Sequence, residues 1–211
     1  MPNLVSVNIG VPEKIDAKAG LTGIFKRPQS GSVQIGAEAV IGDAVLDRRH
    51  HGGVDQAVYV YLNTDYDWWT QELNAPISPG TFGENLTISE IIGDNLAIGD
   101  RFIIGDVVLE ITCHRTPCRT LAARMGDAGF IKRFLAAGRS GAYCRVMTTG
   151  AVTAGDKVEH KPFAGPRVTV AELMAHEGTR ELDADYMARV LATPVHYKMR
   201  QDFEKRLAKA E

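Results

Sequence analysis

Glycine is distributed in a way that leaves few folds open. Twenty of the 21 glycines fall in residues 1–165 and only Gly178 lies beyond. Charge moves the other way, from 34 charged residues in the first 165 to 16 in the last 46. This pattern predicts a turn-rich β domain over 1–165 followed by a small helical segment over 166–211. The dipeptide Gly-Asp recurs at 42–43, 93–94, 99–100, 105–106, 126–127 and 155–156. Short apolar runs lie between several of these, such as Arg101-Phe-Ile-Ile104 and Val107-Val-Leu-Glu-Ile-Thr112. Turns this close together favour a meander or closed barrel over a parallel sheet with crossover helices. Their irregular spacing is turn chemistry and not a solenoid repeat.

Within the first part, Leu4-Val-Ser-Val-Asn-Ile9 alternates as a half-buried strand should, and Gln56-Ala-Val-Tyr-Val-Tyr-Leu62 reads as a buried strand. Two helices interrupt the sheet. One spans roughly Asp65 to Leu73, with Thr64 as its N-cap. The other begins near Cys118, runs towards Met125, and continues after Gly129 as Phe130 to Ala137. After Pro166, two or three short helices are expected. Tyr186, Met187, Val190 and Leu191 share one face, as do Met199, Phe203 and Leu207. Such stripes are packing faces before they are partner grooves.

Composition excludes several classes. With 24 Lys+Arg against 26 Asp+Glu, the chain has no positive excess to track nucleic-acid phosphates. The longest charge-free stretch, Met1 to Pro12, is too short to cross a bilayer and does not read as a secretion signal. The expectation is a cytoplasmic protein, no membrane contact, and three reduced thiols, Cys113, Cys118 and Cys144. No C-x-x-C pair exists, so a structural zinc site is a poor reading.

Five segments carry polar chemistry. In Thr116-Pro-Cys-Arg-Thr120, threonine can cap a helix and proline can open it. Cys118 would then lie in the first helical turn, between Arg115 and Arg119, where a thiol tends to ionise. Such a thiolate is a nucleophile or a ligand for a soft metal. Cys113 and Cys144 lie in strand-like runs and read as packing. Asp47-Arg-Arg-His-His-Gly-Gly-Val-Asp55 combines Arg49, His50 and His51 with Gly52 and Gly53. There the glycines permit close backbone approach to an anionic or polar ligand. In Gly80-Thr-Phe-Gly-Glu-Asn-Leu-Thr87, Glu84 and Asn85 offer an acceptor and an amide. Thr22-Gly-Ile-Phe-Lys-Arg-Pro28 and Gly138-Arg-Ser-Gly-Ala-Tyr-Cys-Arg145 place Lys26, Arg27, Arg139 and Arg145 near glycine, suited to a phosphate. The fingerprints of dinucleotide oxidoreductases, P-loop NTPases, α/β-hydrolases and zincins are missing from the sequence.

Taken in order, these segments resemble the MOSC domain, the family named after the C-terminal domain of molybdenum cofactor sulfurases, and within it the stand-alone YiiM-like branch. The resemblance rests on Thr22–Pro28, Arg49-His-His-Gly-Gly53, Phe82-Gly-Glu-Asn-Leu-Thr87, Arg115-Thr-Pro-Cys118, Gly138-Arg-Ser-Gly141 and Ala154-Gly-Asp156. It implies a mainly β protein with helices, a MOSC-type β-barrel followed by a C-terminal helical appendage. It also implies a molybdopterin-type molybdenum cofactor with Cys118 as protein ligand. The cofactor's phosphate and pterin would be held by groups drawn from Lys26, Arg27, Arg49, Gly52, Gly53, Arg115, Arg139 and Arg145. His114 before the Arg-x-Pro-Cys motif and Ala142 after Gly-Arg-x-Gly depart from the family's pattern.

The activity implied is reduction of N-hydroxylated compounds, including N-hydroxylated purine bases, to amines. His50 or His51 would be the proton donor, with Glu84 and Asn85 orienting substrate or cofactor. Three cysteines are too few for an Fe–S cluster, so electrons would come from a separate flavin-containing protein. A homodimer is left open. Two other readings stand beside this one: a molybdopterin carrier or sulfur-handling module without turnover, and a metal-free cysteine enzyme using Cys118 with His50 or His51 as base.

Overall fold

The structure is a computed structural model that describes residues 1–16, 20–47, 51–89, 91 and 95–209. Arg49 and His50 lie outside the described residues. The first strands are β1 (Leu4–Gly10), β2 (Glu13–Lys14), β3 (Leu21–Thr22), β4 (Lys26–Pro28) and β5 (Val33–Ile35). A 3₁₀ turn at Val54–Gln56 leads into β6 (Val58–Leu62), α1 (Asn63–Leu73) and β7 (Leu86–Ile88). Then come β8 (Arg101–Ile104), β9 (Val107–His114), α2 (Arg119–Arg124), α3 (Phe130–Ala137), β10 (Ala142–Thr148), β11 (Gly150–Val152) and β12 (Glu159–Lys161). The chain ends in α4 (Val170–Ala175), α5 (Ala184–Leu191) and α6 (Tyr197–Leu207).

The main sheet has the order β12-β8-β9-β10-β6-β7-β1-β4, with β11-β5 and β2-β3 as separate pairs. Mainly β with helices therefore holds, but the sheet is not closed into a barrel. Between β1 and the chain entering β12 there is one bridge, Asn3 with Lys157, and the Leu4 N–H donates to Asp156 O at 2.8 Å. A three-residue β12 is too short to extend this contact into a ladder. The expectation of antiparallel pairing also has one exception, because β6 and β7 run parallel. Helix α1 lies between them in the chain, as a parallel pair requires of its connection.

The Gly-Asp pair at 93–94 lies outside the described residues, and the pair at 105–106 makes the turn expected of it. Ile104 pairs with Val107, leaving Gly105-Asp106 as a two-residue hairpin loop, and Gly105 has φ 57°. Two apolar clusters fill the molecule. One is largely aliphatic and joins sheet residues such as Leu4, Val60, Leu109 and Ile111 to Val170, Leu173, Val190 and Phe203 of the helical tail. The other is aromatic, built around Trp69, Phe82, Phe130 and Phe134. The tail's helices are capped by their own side chains, with a Thr169–Glu172 capping box on α4 and Asp183 on α5.

Candidate functional site

β9 ends at His114, and the next four residues lead to Cys118, which is the N-cap of α2 with φ −130° and ψ 168°. The sequence reading placed this cysteine inside the first turn. The helix starts one residue later, and the Thr116 hydroxyl donates to Glu177 Oε1 at 2.7 Å instead of capping. Cys118 is half-buried in a solvent-open cleft of about 760 Å³. Burial alone would raise its thiol. A hydrogen bond with His51, the charge of Arg115 and the Leu121 N–H outweigh that and bring it down to about 6. The other cysteines go the opposite way, since burial pushes Cys113 up to about 12 and raises Cys144 well above its ordinary value.

Arg115 reaches the same cleft from the buried side and is only 4% exposed. Its guanidinium lies 5.5 Å from the Tyr59 ring centroid and 5.8 Å from that of Phe134. Its charge faces Tyr143, and its Nη1 is buried with no hydrogen-bond partner among the described residues. An orphaned guanidinium nitrogen beside a thiolate marks a place where a polar or anionic group would be stabilised. His51 and Gly52 supply the facing loop, and Gly52 takes φ 80° with Val45 only 3.0 Å from where a Cβ would stand. Tyr143 Oη lies 3.5 Å from His51 Nδ1.

The other wall is a closed hydrogen-bond network. Lys26 pairs with Asp43 in the interior, and burial lowers the Lys26 ammonium in spite of that partner. Asp43 Oδ1 accepts from the Gly10 N–H at 2.8 Å, and its Oδ2 accepts from Asn85 Nδ2 at 3.0 Å. Asn85 Oδ1 accepts from the Tyr59 N–H at 3.2 Å. Lys26 and Asn85 line the cleft, as expected, but their polar atoms are committed to shaping it.

Five expected site residues lie elsewhere. Glu84 is fully buried behind this wall. Its Oε1 accepts from Tyr66 Oη at 2.6 Å, Gly80 N–H at 2.5 Å and Thr87 Oγ1 at 2.9 Å. Burial raises its carboxyl despite those donors. It anchors the tight turn at Gly80, where a Cβ would meet Lys26 O at 2.5 Å. Arg27 is exposed and forks onto Glu13 at 2.5 and 2.9 Å. Arg139 pairs with Asp65 at 2.6 Å over the Trp68 ring. Arg145 bonds Asp55 at 2.9 Å and Pro194 O at 3.0 Å. Each of these arginines is held by a partner that local sequence does not reveal, although Arg145 Nε is buried with no hydrogen-bond partner among the described residues. Gly53 has φ 84° and caps the 3₁₀ turn, without lining the cleft. Asp43, Tyr59, Tyr143 and Gln56 line the cleft and were not singled out. Asp43 was visible only as half of a Gly-Asp turn, Tyr59 only as a strand residue, and Tyr143 only as a member of the Gly138–Arg145 segment.

Among the described residues, no group of three His, Cys, Asp or Glu side chains is gathered to hold a metal ion. A metal at Cys118 would therefore find one soft protein ligand, a set that fits a metal bringing its other ligands in an organic cofactor. No helix among the described residues is long and apolar enough to cross a membrane.

The MOSC domain family model matches residues 47–159. The uncharacterized protein YflK of Bacillus subtilis (strain 168) is 36% identical over 159 residues, covering 74% of this chain and 72% of YflK. A protein of Gibberella moniliformis named reductase is 30% identical over 177 residues, which cover 82% of this chain but only 31% of that protein. Among solved structures, the crystal structure of YiiM from Geobacillus stearothermophilus matches with a TM-score of 0.81 at 25% identity, over 98% of this chain and 100% of that one. The segment running from the His51–Gly52 loop through Cys118 and past β10 lies inside the matched region, and the chain belongs to the MOSC domain family.

Proposed function

We propose that the cleft holds a molybdopterin-type molybdenum cofactor with Cys118 as its protein ligand, and that the loaded protein reduces N-hydroxylated compounds, N-hydroxylated purine bases among them, to amines. The observation that carries the reading is a thiol held at about 6 beside a buried arginine with an unspent donor. Membership of the MOSC family and a relative named reductase support it. When bound, the cofactor supplies a two-electron redox centre. Two electrons and two protons convert an N-hydroxylamine to an amine and water.

The chain's own residues do the remaining work. Arg115 offers Nη1 to an anionic group, and Gly52 lets backbone approach it closely. Tyr59 and Tyr143 wall the cleft beside Arg115 and limit water there. His51, which helps hold the Cys118 thiol down, is placed to hand over a proton. With three cysteines and no cluster motif, the chain draws electrons from a separate protein, a flavin-containing reductase.

The His51–Cys118 hydrogen bond also favours a second reading, a metal-free cysteine nucleophile with His51 as base. Molybdenum and pterin content decides between them. Protein from molybdenum-replete cells should carry both, and Cys118→Ser should lose the metal. Loaded wild type given a chemical reductant should turn an N-hydroxylated base into its amine, and Cys118→Ser should fall at least about 100-fold. Full molybdenum occupancy without amine product would leave a carrier. Metal-free protein with a rapidly alkylated Cys118 and hydrolase activity would establish the nucleophile.

A further inference from the structure

The residue after the C-cap of α4 reaches back across the molecule to the segment that carries Cys118. Glu177 Oε2 lies 2.9 Å from His114 Nε2, and Glu177 Oε1 accepts from the Thr116 hydroxyl at 2.7 Å. The two residues it grips precede and follow Arg115 in the chain, so one carboxylate holds the backbone on both sides of that residue and ends two residues short of Cys118. The helix behind Glu177 is itself held firmly. The Val170 N–H donates to Leu96 O at 2.8 Å, Leu173 joins the aliphatic core, and Met174 joins the aromatic cluster that contains Phe134 and Leu121.

We infer that Glu177 is a positioning residue for the cleft, setting where Arg115 and Cys118 stand, and that the helical tail is thereby part of the site. The simpler alternative is a staple that only fastens the tail to the sheet. The tail does not need one there: Val168, Val190 and Val195 are buried in the shared core, and the His196 N–H donates to Thr112 O at 3.0 Å. Nor does a fastening role require the carboxylate to use both oxygens on consecutive sides of one arginine.

The inference rests on Cys118 and Arg115 being the working groups of the cleft. Its test uses metal-free protein, so a failure to find molybdenum would not decide it. The rate of Cys118 alkylation by iodoacetamide is followed against pH, with mass spectrometry confirming the modified residue and thermal unfolding run in parallel. Loss of the Glu177 charge alone would make the neighbouring thiolate easier to form and lower the midpoint. Loss of positioning moves Arg115 away from the thiol and raises the midpoint. Glu177→Ala should therefore raise the midpoint by about one unit, while Glu177→Gln, which keeps an acceptor for Thr116, stays within a few tenths of wild type. Thr116→Val keeps the carboxylate and loses one grip, so its midpoint should rise by a smaller amount, with Thr116→Ser restoring it. A midpoint that falls in both Glu177 variants, or that stays unchanged in Glu177→Ala and Thr116→Val while only the melting temperature drops, overturns the inference.

Discussion

The two walls of the cleft are built on opposite principles. On one, Lys26, Asp43 and Asn85 are bonded to one another and to the backbone of Gly10 and Tyr59. On the other, Arg115 keeps a buried nitrogen unpartnered beside a thiol that is held down to about 6. A paired network is committed first to holding shape. An unsatisfied one costs stability while empty and recovers it when something binds. The same residue types therefore do different jobs a few ångströms apart, and counting cations in motifs cannot separate them.

The largest effect should come from breaking the satisfied wall. Asp43→Ala leaves the Lys26 ammonium buried without its partner, and loss of one member of such a pair costs about 3–5 kcal/mol. Urea denaturation at neutral pH measures it. Replacing both residues, Lys26→Met with Asp43→Leu, should recover most of that loss. A single Asp43→Ala that costs under about 1 kcal/mol would mean the pair does not shape this wall.

On the other wall the outcome should invert. Arg115→Met removes a buried charge that no carboxylate among the described residues pairs, and stability should change by no more than about 1 kcal/mol. The thiol responds instead. Without the neighbouring charge, the Cys118 alkylation midpoint should climb from about 6 by about one unit or more. Severe destabilisation with an unmoved midpoint would show that Arg115 is a packing residue.

Much of this was legible in the chain. Gly105 takes the positive φ its Gly-Asp turn implied, and Phe130–Ala137 is a helix with the expected bounds. Cys118 stood out because a helix start beside two arginines is a local pattern, and the structure shifts it by only one residue. What the chain could not show is pairing at long range. Arg139 and Asp65 are 74 residues apart, and Glu177 and His114 are 63 apart. Whether a cation is free for a ligand depends on such partners. Barrel closure failed for a related reason: turn spacing predicts hairpins, while closing the sheet depends on how far β12 extends alongside β1.

The smallest effect is a pH slope, and it separates the cysteines as the walls separate the cations. The Cys118 thiol is depressed to about 6 in the folded state, against about 8.5 for an ordinary cysteine in the unfolded chain. A depressed group contributes stability that is fully present above the unfolded value, shrinks as pH falls through the interval, and is gone below the folded value. Wild type should thus exceed Cys118→Ser by about 1–2 kcal/mol near pH 8.5, a figure discounted for the half-exposed thiol, and the two should converge below about pH 6. Cys113 carries the opposite sign. Its thiol is raised to about 12, so its contribution is present below about pH 8.5 and lost as pH rises. Cys113→Ala should lose stability less steeply than wild type above that point. Denaturation of the three proteins under reducing conditions at several pH values reads both slopes, and parallel curves would mean that the thiol at the N-cap of α2 is no more ionised than the one in the core.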